Sequence, residues 1–246
     1  MKKIIYSILS LVMLTLLVSC GEDTTAGISR IIYYPSFEIS NGTQTDLVEA
    51  GSDYVTPTAI ATEAGTEIAS TTSVSGRYTG ATEFDVNVPD EYTFTFSAVS
   101  GDGYEGSASK SVIVFVTGDM TTSLEGLYLM SVDRLDPAAE SHANMPYAMI
   151  TKAGDNLFNV SHGVGGFYSN GRGYGDSYRF QGMQIQVNNM ASNDFSWPNE
   201  AGTNPGFGGS TTVSNMAVDA AAKTISWDVY WDFDYNFEVT YTQVQP

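Results

Sequence analysis

Cysteine is almost absent from this chain: Cys20 is the single one among 246 residues. With no second thiol there can be no internal disulfide and no thiolate cluster for a structural metal. Histidine is nearly as scarce. His142 and His162 are the only two, neither stands at helical spacing from another ligand, and a zinc site is not expected. The G-x-S-x-G elbow of acyl-transfer enzymes does not occur. Basic residues are few as well, 10 against 28 acidic ones, for a formal charge of −18. Such a field repels phosphate backbones and anionic headgroups, so nucleic acid is not an expected partner, and any membrane attachment must come from something other than basic side chains. Helical periodicity is nearly missing too. Short alternating runs separated by Gly, Asn, Asp and Pro recur in its place, the pattern of antiparallel β structure.

What is present begins at the N-terminus. Lys2 and Lys3 precede an uncharged apolar run from Ile4 to Val18, then Ser19 and Cys20. The run falls short of the roughly 20 residues that a transmembrane helix needs, so residues 1–19 read as a signal peptide. Leu17-Val18-Ser19-Cys20 resembles the bacterial lipobox, in which the cysteine is acylated and becomes the mature N-terminus. Lipidation of Cys20 accounts for the lone thiol and places outer-membrane lipid among the expected partners. Removing residues 1–19 takes away two lysines and none of the 28 acids, which leaves the mature chain still more acidic. Residues 20–27 read as a lipidated tether, small and polar. Glu22 and Asp23 behind the cysteine resemble the surface-export signal of gut-anaerobe lipoproteins of the starch-utilisation type, which implies an outer-membrane location facing the cell exterior.

Beyond the tether the pattern favours two all-β domains, an immunoglobulin-like sandwich over 28–117 and an antiparallel meander, barrel or sandwich, over 123–246. In the first, Ile31 to Ile39 reads as the opening strand. Tyr92, Phe94, Phe96 and Ala98 alternate with polar residues and expose one face only. Val112 to Val116 reads as a closing strand covered on both faces. Tyr92 after Asp90-Glu91 is either the tyrosine corner of such sandwiches or an ordinary core tyrosine. In the second domain strands are expected over Leu127 to Val132, Tyr147 to Thr151, Leu157 to Ser161, Tyr178 to Val187 and Asp194 to Trp197. From Ile225 to Tyr241 apolar residues hold one parity for too long to be one strand. A three-residue hairpin loop preserves that parity, and Asp234-Tyr235-Asn236 is the expected loop, with Asn236 in the left-handed position.

Two stretches bear on function. Asp228, Asp232, Asp234 and Glu238 share the polar parity of the last hairpin; calcium is conceivable there, although alternate acids are also the ordinary solvated face of a strand. The stretch Gly163 to Gly175 is rich in glycine, follows a strand and opens no helix, so it is not a dinucleotide fingerprint. It holds Phe167, Tyr168 and Tyr174 beside Arg172, with Trp197 available from a later loop. These form either a sugar-stacking surface with a guanidinium as polar contact, or a structural cap in which glycines make turns and aromatics pack over a barrel end.

Pro35 to Ile39, the Gly51-Ser52-Asp53-Tyr54 region, Glu91 to Phe96, and above all Gly165-Gly166-Phe167-Tyr168 with Gly171-Arg172-Gly173-Tyr174-Gly175 resemble a family of surface lipoproteins from gut anaerobes. Its members pair an immunoglobulin-like domain with a C-terminal, lipocalin-like β-barrel. The resemblance implies association with glycan-import loci, and so a porin and a substrate-binding lipoprotein as possible partners. The expected function is a non-catalytic surface module for oligosaccharide, without cofactor or metal. An architectural or protein-binding subunit of an outer-membrane complex is the alternative, and a glycoside hydrolase the third.

Overall fold

The computed structural model describes residues 31–245. The expected signal peptide, Cys20 and the expected tether with Glu22 and Asp23 lie outside the described residues. What is described is all-β, as expected. No helix among the described residues is long and apolar enough to cross a membrane.

The first part contains β1 (Ser36–Ile39), β2 (Asp46–Glu49), β3 (Ala59–Glu63), β4 (Thr66–Ile68), β5 (Ser70–Gly76), β6 (Asp90–Val99) and β7 (Glu105–Phe115). They form two sheets, β1-β3-β4 and β2-β7-β6-β5, in which β2 runs parallel to β7. The alternation in β6 turns Tyr92, Phe94 and Phe96 inward against Ile39, Val48, Val112 and Val114. The Tyr92 hydroxyl donates to the carbonyls of Asp85 and Val88, at 3.2 and 3.1 Å. It thus returns to upstream backbone as a tyrosine corner does. A cation is buried here: the Lys110 ammonium donates to Asp46 Oδ1 at 2.7 Å and to the carbonyls of Gln44 and Asn41, which together replace its hydration.

The opening strand is shorter than expected. Ile31 to Tyr34 are exposed and outside any strand, because β1 finds partners in β3 only from Ser36 onward. A run of strand-forming residues without a neighbouring edge has nowhere to place its backbone donors and acceptors.

The second part contains β8 (Gly126–Asp136), β9 (Glu140–Gly154), β10 (Leu157–Val160), β11 (Met183–Asn189), β12 (Asp194–Ser196), β13 (Thr211–Asp219), β14 (Thr224–Trp231) and β15 (Tyr235–Gln243). They make one antiparallel sheet in the order β12-β11-β10-β9-β8-β15-β14-β13, so the last strand pairs with the first of this part. The sheet curls into a nearly closed barrel. At its seam, side chains stand in for a ladder: Asn193 Oδ1 accepts from the Val218 amide at 2.9 Å, Glu200 Oε2 from the Val213 amide at 2.7 Å, and Thr211 Oγ1 from the Ala201 amide at 3.1 Å. The expected strand from Tyr178 starts only at Met183, after a short 3-10 turn at Asp176–Tyr178.

The last hairpin does carry a three-residue loop, and Val229 with Phe237, Trp227 with Val239 and Ile225 with Tyr241 face one core as parity required. Its position differs from the expectation. Trp231 pairs with Tyr235, so the loop is Asp232-Phe233-Asp234, and Asp234 rather than Asn236 takes the left-handed conformation, with φ 62°. Parity sets a loop's length but not its place, and aspartate tolerates the left-handed region nearly as well as asparagine.

The closing strand of the first part joins the two. Val112 and Val114 of β7 face the sandwich core, while Ile113 and Phe115 face outward onto Leu127 and Met149 of the barrel wall, with Tyr78, Tyr147 and Val244 around them. Arg77 adds a bridge, bonded at 2.6 Å both to Glu91 of the sandwich and to Asp176 of the barrel part.

Candidate functional site

After β10 the chain enters the barrel. The carbonyl of His162 accepts from the Tyr241 hydroxyl at 2.6 Å and that of Gly163 from Trp227 Nε1 at 2.9 Å. Gly166, with φ 71°, then turns the chain against Met130, and Phe167–Gly171 makes one π-helical turn. Gly171 lies on the face of the His142 ring, where a Cβ would collide. Gly165, Gly166 and Gly171 are therefore used for close passage through a filled barrel, whereas Gly173 and Gly175 have open space around them.

This passage decides which aromatic residues reach solvent. Phe167 is 1% exposed. Its ring packs against the guanidinium groups of Arg134 and Arg172, each 5.2 Å from its centre, and against His142 and Phe237. It is core and does not present a sugar platform, which corrects the expectation. Trp197 is also displaced from the expected group: it follows β12, is half-buried against the barrel core, and is not part of the aromatic surface. Tyr168, 5% exposed, lies deeper, and Tyr174 is 47% exposed.

Around these two the structure assembles an open groove of about 520 Å³ lined by Tyr168, Arg172, Tyr174, Phe207, Trp231, Phe233 and Tyr235. Phe207 is 42% and Phe233 51% exposed, while Trp231 is buried beneath them. The groove lies at the barrel end that carries the β14–β15 loop and the β8–β9 connection, since Asn236 pairs with Asp136. The linker from the sandwich enters at the opposite end of β8. Asn204 holds Phe207 in place: its Oδ1 accepts from the amides of Gly206 and Phe207 at 3.0 and 2.9 Å while its Nδ2 donates to the carbonyl of Tyr178 at 2.8 Å.

Phe207, Trp231, Phe233 and Tyr235 were not in the expected set. Phe207 had a signal in Gly206-Phe207-Gly208-Gly209, where an aromatic side chain isolated among glycines cannot belong to a strand's buried face. Phe233 was concealed by the misplaced hairpin loop. Trp231 and Tyr235 join through the register of a pair already recognised as a seam.

Arg172 forms the polar edge. Its Nε and a terminal nitrogen reach the two oxygens of Glu140 at 3.1 and 2.5 Å, and Arg134 and His142 reach the same carboxylate at 3.0 Å. Hydrogen bonding from Arg172, aided by His142 and the positive charges of both arginines, holds the Glu140 carboxyl down to about 2. It stays ionised at neutral pH. Elsewhere in the barrel, His162 is buried with Nδ1 against Ser161 Oγ at 2.8 Å, and burial, reinforced by Arg179 and Arg77, pushes its pKa well below the ordinary histidine value.

The four acids of the last hairpin do not form one cluster: Asp228 and Glu238 stand opposite each other across β14 and β15, while Asp232 and Asp234 lie in the loop. Asp228 accepts from Asn215, Asp232 from the Ser210 amide and Asp234 from the Tyr230 hydroxyl. Among the described residues no three His, Cys, Asp or Glu side chains form a group that could hold a metal ion.

Fold and groove together define an all-β protein with a sandwich followed by a barrel whose end is roofed by aromatic side chains. A family model describing a C-terminal domain matches residues 117–243, slightly more than half of the chain. The chain belongs to the family which that domain defines. Among solved structures it is similar to the crystal structure of the lipoprotein BT2262 from Bacteroides thetaiotaomicron. The identity is 23% over 85% of this chain and 100% of that one, with a TM-score of 0.64. No curated protein matches.

Proposed function

We propose that this protein is a non-catalytic binding module for oligosaccharide, carried at the outer surface of the outer membrane by lipid on Cys20, with the aromatic groove of the barrel as its site. The observation that carries the reading is the exposure of Tyr174, Phe207 and Phe233 around one groove over a buried floor of Tyr168 and Trp231. Three large rings left in water at one place represent apolar surface that a folded chain ordinarily covers. Sugars suit such rings, because the C–H face of a pyranose stacks on an aromatic face while its hydroxyls reach the polar edge, here Arg172 and the tyrosine hydroxyls. The similarity to a lipoprotein supports the anchor, and so do the lipobox-like residues ending at Cys20.

Glu140 does not serve as a general acid. A general acid must carry a proton near working pH, and a carboxyl held at about 2 does not. Titration calorimetry against a broad panel of oligosaccharides tests the reading: at least one member binds, and Tyr174→Ala and Phe207→Ala each weaken it at least tenfold, about 1.4 kcal/mol. A panel without any binder ends it.

A further inference from the structure

The geometry points to a narrower class of ligand: a neutral oligosaccharide whose backbone turns as it runs, rather than a flat ribbon or an acidic chain. This rests on the oligosaccharide reading above and adds the shape and charge of the chain.

The shape follows from the ring planes. Tyr174 and Phe207 have centres 6.3 Å apart and planes at 65°. Phe207 and Trp231 are 6.1 Å apart at 47°, and Trp231 and Phe233 4.7 Å apart at 65°. A pyranose stacks with its mean plane parallel to the ring beneath it. A flat two-fold ribbon such as a β-1,4-glucan offers its successive stacking faces in one plane, and so matches coplanar platforms. The exposed pair Tyr174 and Phe207 is rotated steeply, and Phe207 and Phe233 are each inclined to the buried Trp231 that both contact, so a chain that stacks on Tyr174 and Phe207 together must rotate its sugar planes between contacts. Chains that curve or coil, such as α-1,4- and β-1,3-glucans, do this without strain.

The rings are also locked in these attitudes, which gives the mismatch a cost. Tyr178 packs against both Tyr174 and Phe207, at 5.3 and 4.7 Å between centres, and Trp231 Nε1 donates to the Gly208 carbonyl at 3.2 Å beside Phe207. A preorganised surface discriminates by shape, because reshaping it to fit another chain costs free energy.

The charge follows from Arg172, the only charged side chain among those lining the groove. Its guanidinium is engaged at two donors by Glu140, and Asp232 and Asp234 flank Phe233 in the rim loop. Buried Arg134 shares that carboxylate, but Glu140, Asp232 and Asp234 outnumber the two arginines around the groove, and in a chain of formal charge −18 an uncharged ligand enters with less penalty than a uronate or sulfate.

Calorimetric titration of the mature protein with maltohexaose, laminarihexaose, cellohexaose and hexagalacturonate decides the matter. At least one of the two curved neutral hexaoses is expected to bind ten times tighter than both cellohexaose and hexagalacturonate, and Phe233→Ala to weaken it at least tenfold. Phe233 is exposed, and circular dichroism of the variant confirms its fold. The inference is overturned if neither curved hexaose has that advantage. In that event, binding by cellohexaose, hexagalacturonate or another member of the broad panel leaves the oligosaccharide reading standing, whereas silence across the panel removes both.

Discussion

At the scale of single residues, Trp227 and His162 show how the interior is organised around the chain that passes through it. Trp227 is almost wholly buried and its indole N–H is the donor for the Gly163 carbonyl. Trp227→Ala should therefore cost about 3–5 kcal/mol in chemical denaturation, and more if the inserted segment is released. His162 makes a pH-dependent contribution of definite sign. Its folded pKa lies below the ordinary value, so the unfolded state binds the proton more readily, and stability present above about 6.5 is lost as pH falls below it. Denaturation midpoints measured from pH 8 to pH 5 should fall across the acidic end of that range. His162→Gln should flatten the part of the fall that begins near 6.5. Glu140 acts lower in the range: its folded value of about 2 lies below the ordinary carboxylate value, so its contribution is lost only as pH falls through about 4 toward 2.

At the scale of elements, the β14–β15 hairpin joins core to site. Its loop presents Phe233 to the groove and depends on Asp234 at φ 62°. Asp234→Gly should leave stability within about 1 kcal/mol of the parent, whereas Asp234→Val, which combines a branched Cβ with positive φ, should cost roughly 1–3 kcal/mol and weaken oligosaccharide binding by displacing Phe233. Thermal melting and titration of the pair separate the two effects. The same hairpin shows how far sequence reading reaches. Apolar alternation revealed the shared face of Trp227, Val229, Phe237 and Val239 and the need for three loop residues, because side-chain direction on a strand has period two. It did not reveal which three, since the same parity allows a loop shifted by two residues. In the glycine-rich stretch the residue types were legible but their roles were not. Phe167 and Tyr168 are neighbours in sequence, yet one is packed into the core beside two arginines and the other floors the groove, a difference made by one turn of π helix inside the barrel.

At the scale of the whole molecule, sandwich and barrel share a small core in which Ile113 and Phe115 meet Leu127 and Met149. Phe115→Ala should cost about 3–5 kcal/mol and, by loosening the join, divide the calorimetric transition of the full chain into two. Arg77→Ala removes only a partly exposed bridge and should cost no more than about 1 kcal/mol, with the single transition kept. Some features of the molecule were determined by sequence alone. The acidic surface, the lack of disulfides, the all-β character and the alternating faces of β6, β7, β14 and β15 follow from composition and from a local period of two. Even the double-sided burial of Val112 to Phe115 was readable, although its second partner was not. Tertiary structure decided the rest: where Ile31 to Tyr34 lose their partner, which hairpin residues turn, and which rings of the barrel end stay in water. Phe207 and Phe233 stand on segments far apart in the chain and become one surface only when β13, β14 and the inserted loop close around Trp231. No local pattern encodes that meeting, because it depends on barrel closure rather than on sequence spacing.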